Sequence, residues 1–387
     1  MLTTIAIANY RSIRKLTLGL ARLNVVTGVN GSGKSNLYRA LRLLSTTADG
    51  GLVASLAREG GLDSTLWAGP ETISRDMRSG KHPVQGTLRK EPIQLQLGFA
   101  AEDFGYSIDL GFPTSSSSRF VLDPEIKREC IWSGPVWRPG THLIDRRGPA
   151  LRVVDKDGDW QMMPGALSGF ESMMSEYADP RSAPEMLTVR TKMRAWRFYD
   201  HFRSDAEAPA RQPQVGTYTP VLDDEGAQMA AALETIEEIG DAAALERAVD
   251  DAFPGARIEI TGDRGWLALT MRQHGLLRPL DAAELSDGTL RYLLLIAALL
   301  SPRPAELLVL NEPETSLHPD LIPALARLIE AASATTQIIV VSHNERLVAL
   351  LGEAKDTNMI TLAKNFGETF VEGRSELEAP RWQWPKR

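Results

Sequence analysis

Eight residues near the start of the chain, Gly28-Val29-Asn30-Gly31-Ser32-Gly33-Lys34-Ser35, satisfy G-x-x-x-x-G-K-[ST] at every fixed position. Glycines at these places let backbone N–H groups turn inward around a phosphate chain, and a lysine after the last glycine reaches the outer phosphates. The hydroxyl that follows, Ser35, is of the type that ligates Mg2+, and a helix beginning there adds the positive potential of its N-terminus. Asn30, Gly31, Ser32, Gly33, Lys34, Ser35 and Asn36 are therefore the candidate phosphate-binding residues. Such a motif carries weight only between a strand and a helix. Asn24-Val25-Val26-Thr27 reads as the strand, and Leu37, Ala40, Leu41 and Leu44, spaced i, i+3, i+4, i+7, predict an amphipathic helix over Lys34 to Leu44. No N-K-x-D guanine-reading element follows, so nothing points to GTP.

A second group of residues stands far downstream: Leu285-Ser286-Asp287-Gly288-Thr289, then the apolar run Leu307 to Leu310 leading into Asn311-Glu312-Pro313-Glu314-Thr315-Ser316-Leu317-His318-Pro319, then Val340-Val341-Ser342-His343. With these segments the chain resembles the ABC-type ATPase heads of the RecF, OLD and SMC group, also catalogued as AAA-type ATPases. The resemblance runs from Asn9-Tyr10-Arg11-Ser12 to about Leu351 and is strongest in the phosphate loop and over 280–345. It implies an α/β P-loop NTPase fold, an ABC-ATPase-like head with an antiparallel β lobe and a short helical insertion.

The resemblance also implies roles. The cofactors would be ATP and Mg2+, with two nucleotides held at the interface of a head-to-tail homodimer. Lys34 and Ser35 would hold the triphosphate and metal, Glu312 would orient and deprotonate the attacking water, and His343 would contact the γ-phosphate. Ser286 and Gly288 would reach the γ-phosphate bound by the other subunit, Glu314 to Leu317 would communicate between the two sites, and Arg11 would lie close to the nucleotide. Lys34, Glu312 and His343 thus form the expected catalytic set. Phosphoryl transfer needs positioning and charge neutralisation more than covalent chemistry, which such a set can supply.

One position departs from the family pattern. The strand-end residue that is usually Asp, and that supports Mg2+ through its waters, is Asn311. An amide still accepts a hydrogen bond from metal-bound water but brings no negative charge, and the loss of such an outer partner weakens metal binding by ~10–100-fold. Slow hydrolysis is the expectation, with Ser35 and Asn311 as the metal-side residues. Glu312, Ser286 and His343 are all retained, which speaks against a decayed site. Gln85, Gln94 and Gln96 are candidates for the glutamine-loop position.

Around these residues the periodicity places the scaffold. Leu2 to Ile7 and Leu16 to Leu20 read as strands, 84–163 as a meander of short strands with a hairpin turn at Asp157-Gly158, and 170–250 as helical in two stretches separated by a Pro/Gly loop over 208–226. Strands return from 256, and 285–351 alternates helix and strand as a parallel sheet covered by helices does. We expect one discontinuous head: 1–163 carrying the phosphate loop and β lobe, 164–255 a helical insertion, and 256–387 the lobe of Ser286, Glu312 and His343. The 250 residues between Ser35 and Ser286 are more than a transporter subunit of this class would place there. They hold no uninterrupted heptads for a coiled-coil arm. After 351 little room remains for a nuclease domain.

Composition bounds the rest. Of 387 residues 43% are hydrophobic, ample for a core, and the single Cys130 reads as a packed core residue in a reducing compartment. No secretory leader or membrane span is legible: the longest apolar run, Tyr292 to Leu300, has nine residues against the ~20 a span needs. The expected location is cytoplasmic. The net charge of −7 hides an asymmetry: residues 1–50 hold seven basic residues against Asp49, and 221–251 hold ten acids against Arg247. Arg190, Lys192, Arg194, Arg197 and Arg203, interleaved with Trp196, Phe198 and Tyr199, read either as a nucleic-acid face or, better, as a solvated helix stripe with Trp196 in the core. Ser115 to Ser118 read as an exposed turn.

Two functions of different kinds follow. One is an ATP-hydrolysing dimer acting in DNA repair, DNA maintenance or phage defence, with DNA as a partner. The other is an ATP-gated dimerisation switch with slow hydrolysis that controls a partner effector protein. A stable ATP-binding scaffold without turnover ranks third.

Overall fold

The computed structural model describes the chain except for residues 72, 73, 75, 76, 78–80, 82–91, 115–118, 178, 376, 377, 386 and 387. Gln85 and the Ser115–Ser118 turn lie outside the described residues. In chain order the strands are β1 (Leu2–Tyr10), β2 (Ile13–Gly19), β3 (Leu23–Thr27), β4 (Leu95–Ala101), β5 (Phe104–Gly111), β6 (Glu125–Ser133), β7 (His142–Arg147), β8 (Ala150–Val154) and β9 (Trp160–Met162). They continue as β10 (Arg197–Tyr199), β11 (Gln214–Val215), β12 (Arg257–Asp263), β13 (Trp266–Arg272), β14 (Leu280–Asp281), β15 (Leu307–Asn311), β16 (Gln337–Val341), β17 (Thr357–Asn365) and β18 (Glu368–Val371). The chain divides into two units: Met1–Ala21 with Gly28–Trp196 and Ile360–Arg387, and Arg22–Thr27 with Arg197–Met359.

The first unit is built on an eight-stranded antiparallel sheet of order β2-β1-β4-β5-β6-β7-β8-β9. Alternating large apolar residues set the register: Leu95, Leu97 and Phe99 lie opposite Leu110, Ile108 and Tyr106, and all six are buried. The β8–β9 connection is the expected hairpin. Gly158 takes φ +89, and the Asp155 carboxylate accepts from the N–H groups of Asp157 and Asp159, each at 2.9 Å. Cys130 is fully buried in β6, and burial pushes its thiol well up from the ordinary range, leaving an inert packing residue. The helix Lys34–Thr46 buries Leu37, Ala40, Leu41 and Leu44, the face read from their spacing. The ambiguous stretch that follows holds two short helices, Leu52–Arg58 and Leu62–Thr65. The C-terminal tail packs here too: Trp382 meets Trp132 edge to face with ring centres 5.6 Å apart.

The second unit holds parallel strands in the order β10-β15-β16-β3. Val309 pairs with Ile339 and Val340 with Val25, and all four are buried. Helices Asp287–Leu299, Ile322–Ser333 and Glu345–Glu353 pack in the same unit, the first with ten buried residues in succession, Leu290 to Leu299. A smaller antiparallel sheet, β11-β13-β12 with β14 on β13, completes it.

The reading of 170–250 as helical needs correction. Helices Met173–Glu176, Pro184–Arg194, Met229–Ile239 and Ala242–Ala252 do form, but β10 follows the second of them, and the two-residue β11 lies in the Pro/Gly loop. The helix ending at Arg194 buries Met186, Val189 and Met193. Four residues after Arg194, Phe198 is opposite Val309 in the parallel sheet, where tertiary pairing outweighs local composition. The basic stripe is broken in the same way: Trp196, Phe198 and Tyr199 are buried, and Lys192, Arg194 and Arg203 pair with Asp103, Asp49 and Asp205. No aromatic face is left there on which a base would stack.

Candidate functional site

In the first unit, Gly28, Gly31 and Gly33 take φ of +145, +80 and +111, conformations that only glycine adopts cheaply. A Cβ on Gly28 would collide with the Leu362 carbonyl and one on Gly33 with the Thr369 side chain, whereas Gly31 faces open space. Lys34 is buried to 6% exposure and its Nζ donates to the carbonyl oxygens of Gly28 (2.6 Å) and Val29 (3.2 Å), closing the loop on itself. Asn30, Gly31 and Ser35 are exposed. The helix from Lys34 to Thr46 starts without a side-chain cap and without an acid in its first turn. No side chain caps its leading N–H groups, and the helix dipole favours an anion there. Ser32 Oγ is buried and makes no hydrogen bond among the described residues.

A relay braces this loop. Asn36 Nδ2 donates to Ser12 Oγ at 2.7 Å, Ser12 Oγ lies 2.7 Å from Thr369 Oγ1, and Thr369 Oγ1 donates to the Ser32 carbonyl at 2.8 Å. Because the Thr369 proton is committed to Ser32, Ser12 must be the donor to Thr369, so the chain of donors has one direction. Arg11, placed near the nucleotide by resemblance, is tied to Glu59 by its Nη2 at 2.8 Å and Nε at 3.2 Å, with Tyr10 donating to the same oxygen at 2.6 Å. Gln94 lends its carbonyl to Asn9, and Gln96 lies within β4 opposite Ala8.

In the second unit the carboxyl ends of the parallel strands carry the chemistry-bearing residues. Asp200 follows β10, Asn311 closes β15 and Glu312 follows it, Ser342 and His343 follow β16, and β3 ends at Thr27, after which the chain enters the phosphate loop. Crevices outside such strand ends are where open α/β sheets bind ligands. Glu312 is held at φ +48, uncommon for a residue with a Cβ, while its N–H donates to the Val341 carbonyl at 2.7 Å. Its Oε1 lies 3.2 Å from His343 Nδ1. Beneath them, buried Glu314 accepts from Ser342 Oγ at 2.6 Å, and its other oxygen has no partner among the described residues. Ser286 is exposed and caps the helix Asp287–Leu299 through Thr289 N at 3.2 Å. Gly288 lies so close to the Ser316 carbonyl that a Cβ would stand 3.1 Å from it.

Several supporting residues escaped the sequence reading. Arg211 holds the Ser286 segment from both sides, donating to the Leu285 carbonyl and to Asp287 Oδ1, each at 2.7 Å. Arg291 donates to the Thr315 carbonyl at 2.8 Å. Asp200 accepts from Asn311 Nδ2 at 2.6 Å. No short motif marks any of them, since each acts on a partner remote in sequence. Among the described residues no group of three His, Cys, Asp or Glu side chains could hold a metal by itself, and no helix is long and apolar enough to cross a membrane.

The family model described as "AAA domain, putative AbiEii toxin, Type IV TA system" matches residues 23–349. Among solved structures, an SMC head bound to the C-terminal winged-helix domain of ScpA aligns over 98% of this chain and 99% of its own, with 16% identity and a TM-score of 0.52. An SMC head from Thermotoga maritima aligns over 96% and 97% with 14% identity and a TM-score of 0.44. An SMC head with an extended coiled coil, bound to the C-terminal domain of ScpA derived from Pyrococcus furiosus, aligns over 96% and 95% with 14% identity and a TM-score of 0.48. No curated protein matches the chain. The likeness to the first of these structures is one of fold: a mixed α/β P-loop ATPase head with a large antiparallel sheet.

Proposed function

The chain belongs to the AAA domain family whose model spans 23–349, and from that premise we propose that it binds and hydrolyses ATP as a nucleotide-sandwiched homodimer in DNA maintenance or defence. One observation carries the nucleotide assignment: an uncapped helix N-terminus, entered through three left-handed glycines and a buried lysine, with an orphaned hydroxyl at Ser32. That arrangement offers donors and positive potential to a phosphate chain. Lys34, now spending its protons on Gly28 and Val29, would exchange these carbonyls for phosphate oxygens. Glu312, whose carboxylate stands beside His343, is the base that takes the proton of an attacking water. Ser286, with its hydroxyl at an exposed helix start, is the group offered to a partner's γ-phosphate.

Ser35 and Asn311 are the residues that would hold Mg2+. Their oxygens are of the hard type this ion takes. When bound, the ion neutralises triphosphate charge. The amide at Asn311 also supports the second reading, an ATP-gated switch with slow turnover that controls an effector protein. Lys34→Ala should abolish binding of a fluorescent ATP analogue, and Glu312→Gln should accumulate an ATP-bound dimer seen by light scattering. Turnover unchanged in either variant would sink the assignment. DNA that stimulates hydrolysis severalfold favours maintenance; slow hydrolysis with an ATP-driven monomer–dimer shift favours the switch.

A further inference from the structure

We infer that Asp200, which belongs to none of the motifs, is the positioning residue that restores to the metal side of this site the carboxylate missing at Asn311. The inference rests on the ATPase reading above and deepens it.

Register comes first. Tyr199 lies opposite Leu310 in the parallel pair of β10 and β15, so the next residues outward, Asp200 just past β10 and Asn311 as the last residue of β15, stand side by side at the carboxyl end of the sheet. Their side chains meet at 2.6 Å, Asn311 Nδ2 donating to Asp200 Oδ1. An ionised carboxylate can only accept, and the NH2 group is the only donor the Asn311 side chain has. Asp200 therefore decides which way the amide points. It draws the NH2 toward itself and turns the carbonyl oxygen away, so that the face left over is an acceptor, as a metal-bound water requires. Without Asp200 the amide could present its NH2 there instead, and a donor would repel that water.

Charge comes second. Among the described residues no cation lies within ion-pair distance of Asp200, and the residue is exposed, so its negative charge is not spent on a neighbour. The Arg203 and Arg211 guanidiniums nearby in sequence pair with Asp205 and Asp287 instead. A cavity of about 20 Å3 opens between Asp200, Arg291 and Glu312, enough for one water. A carboxylate whose task was only to brace the strand end would be served as well by a neutral acceptor; the unspent charge is what a cation would use. The pair Asp200–Asn311 thus divides between two strands what one aspartate ordinarily does at the end of one.

The test uses the full chain with a non-hydrolysable ATP analogue and Mn2+ as the probe ion, read by electron paramagnetic resonance. Nucleotide binding in EDTA is measured alongside. Asp200→Asn, which keeps size and hydrogen bonding, should weaken Mn2+ retention by ~10–100-fold while metal-free nucleotide binding stays at the parental level. The exchange Asp200→Asn with Asn311→Asp should recover Mn2+ retention by returning the charge to the other strand. Parental Mn2+ affinity in Asp200→Asn, or an exchange variant that folds but shows no recovery, would overturn the inference. Failure of the underlying reading looks different: the parental protein would bind no nucleotide in EDTA or in Mn2+.

Discussion

Thr369 Oγ1 donates to the carbonyl oxygen of Ser32 at 2.8 Å, across 337 residues of sequence. The hydroxyl is wholly buried, and it also accepts from Ser12, so two backbone segments and the phosphate loop converge on one side chain. Thr369→Val keeps the shape but leaves the Ser32 carbonyl and the Ser12 hydroxyl without their partner. A cost of about 1–3 kcal/mol is expected, together with weaker nucleotide binding. Thr369→Ser should retain both. Urea unfolding and titration with a fluorescent nucleotide check the pair; equal behaviour of the valine and serine variants would refute it.

Gly33→Ala should be worse than an ordinary glycine substitution. The residue has φ +111, and the added methyl would collide with the Thr369 side chain. Strain of about 1–3 kcal/mol is expected at such a backbone angle. Gly31→Ala, with open space around its Cβ, should cost less. The ranking of the two melting temperatures decides the matter.

For the Glu312–His343 pair at 3.2 Å, the substitutions should separate the roles. Glu312→Gln removes the proposed base and should slow ATP turnover by about 10²–10⁴-fold without weakening nucleotide binding. His343→Ala, which removes the neighbour but leaves the carboxylate, should leave more activity. Single-turnover hydrolysis measures both; a His343 variant as slow as the Glu312 variant would show that the two cannot be separated.

Within the antiparallel sheet, Glu129 and Arg146 are both fully buried and pair at 2.7 Å. Glu129 also accepts from Tyr106 (2.7 Å), Ser172 (2.5 Å) and the Met173 N–H (2.8 Å). Glu129→Ala strands the guanidinium and should destabilise by about 3–5 kcal/mol, whereas replacing both partners with apolar residues should cost less. Denaturant midpoints for the single and double variants provide the comparison.

Acid should loosen the same sheet in two stages. Burial holds the His142 imidazole down to about 4 from an ordinary 6.5, against the opposing pull of Asp145. The unfolded chain takes up this proton first, so the contribution of neutral His142 is lost as the pH falls from about 6.5 to about 4. Burial would raise Asp145, but the hydrogen bond from Arg152 and the charge of Arg128 outweigh it and hold the carboxyl below the ordinary aspartate range. Its contribution is full above that range and is lost only at lower pH. His142→Gln should therefore flatten the first stage of a urea-midpoint profile and leave the second.

What was legible in the sequence was whatever is local. The phosphate loop, the helix face of Leu37, Ala40, Leu41 and Leu44, the runs of β15 and β16, and the Asp157-Gly158 hairpin all announce themselves within a dozen residues. β10 did not, because three residues are too few to show a period and its neighbours are helical in composition. Asp200 and Thr369 were invisible for a different reason. Their partners, Asn311 and Ser32, lie 111 and 337 residues away, and only the sheet register and the β18 hairpin bring them together. Family resemblance pointed to the residues expected at a nucleotide; the residues that brace them carry no comparable signature.

The assignment of Arg22–Thr27 to the second unit, while the residues on either side belong to the first, has a practical side. A gene fragment encoding 197–359 would lack β3, and the edge of β16 would lose the hydrogen bonds it now makes to Leu23–Val26. Ile338 to Val341, wholly apolar and buried in the intact chain, would then be a bare strand edge of the kind that templates aggregation. Such a fragment should go to inclusion bodies, and truncation by sequence position is the wrong way to dissect this protein. Supplying β3 by circular permutation, with Leu23–Thr27 fused through a linker, is the route by which the second unit could be obtained alone.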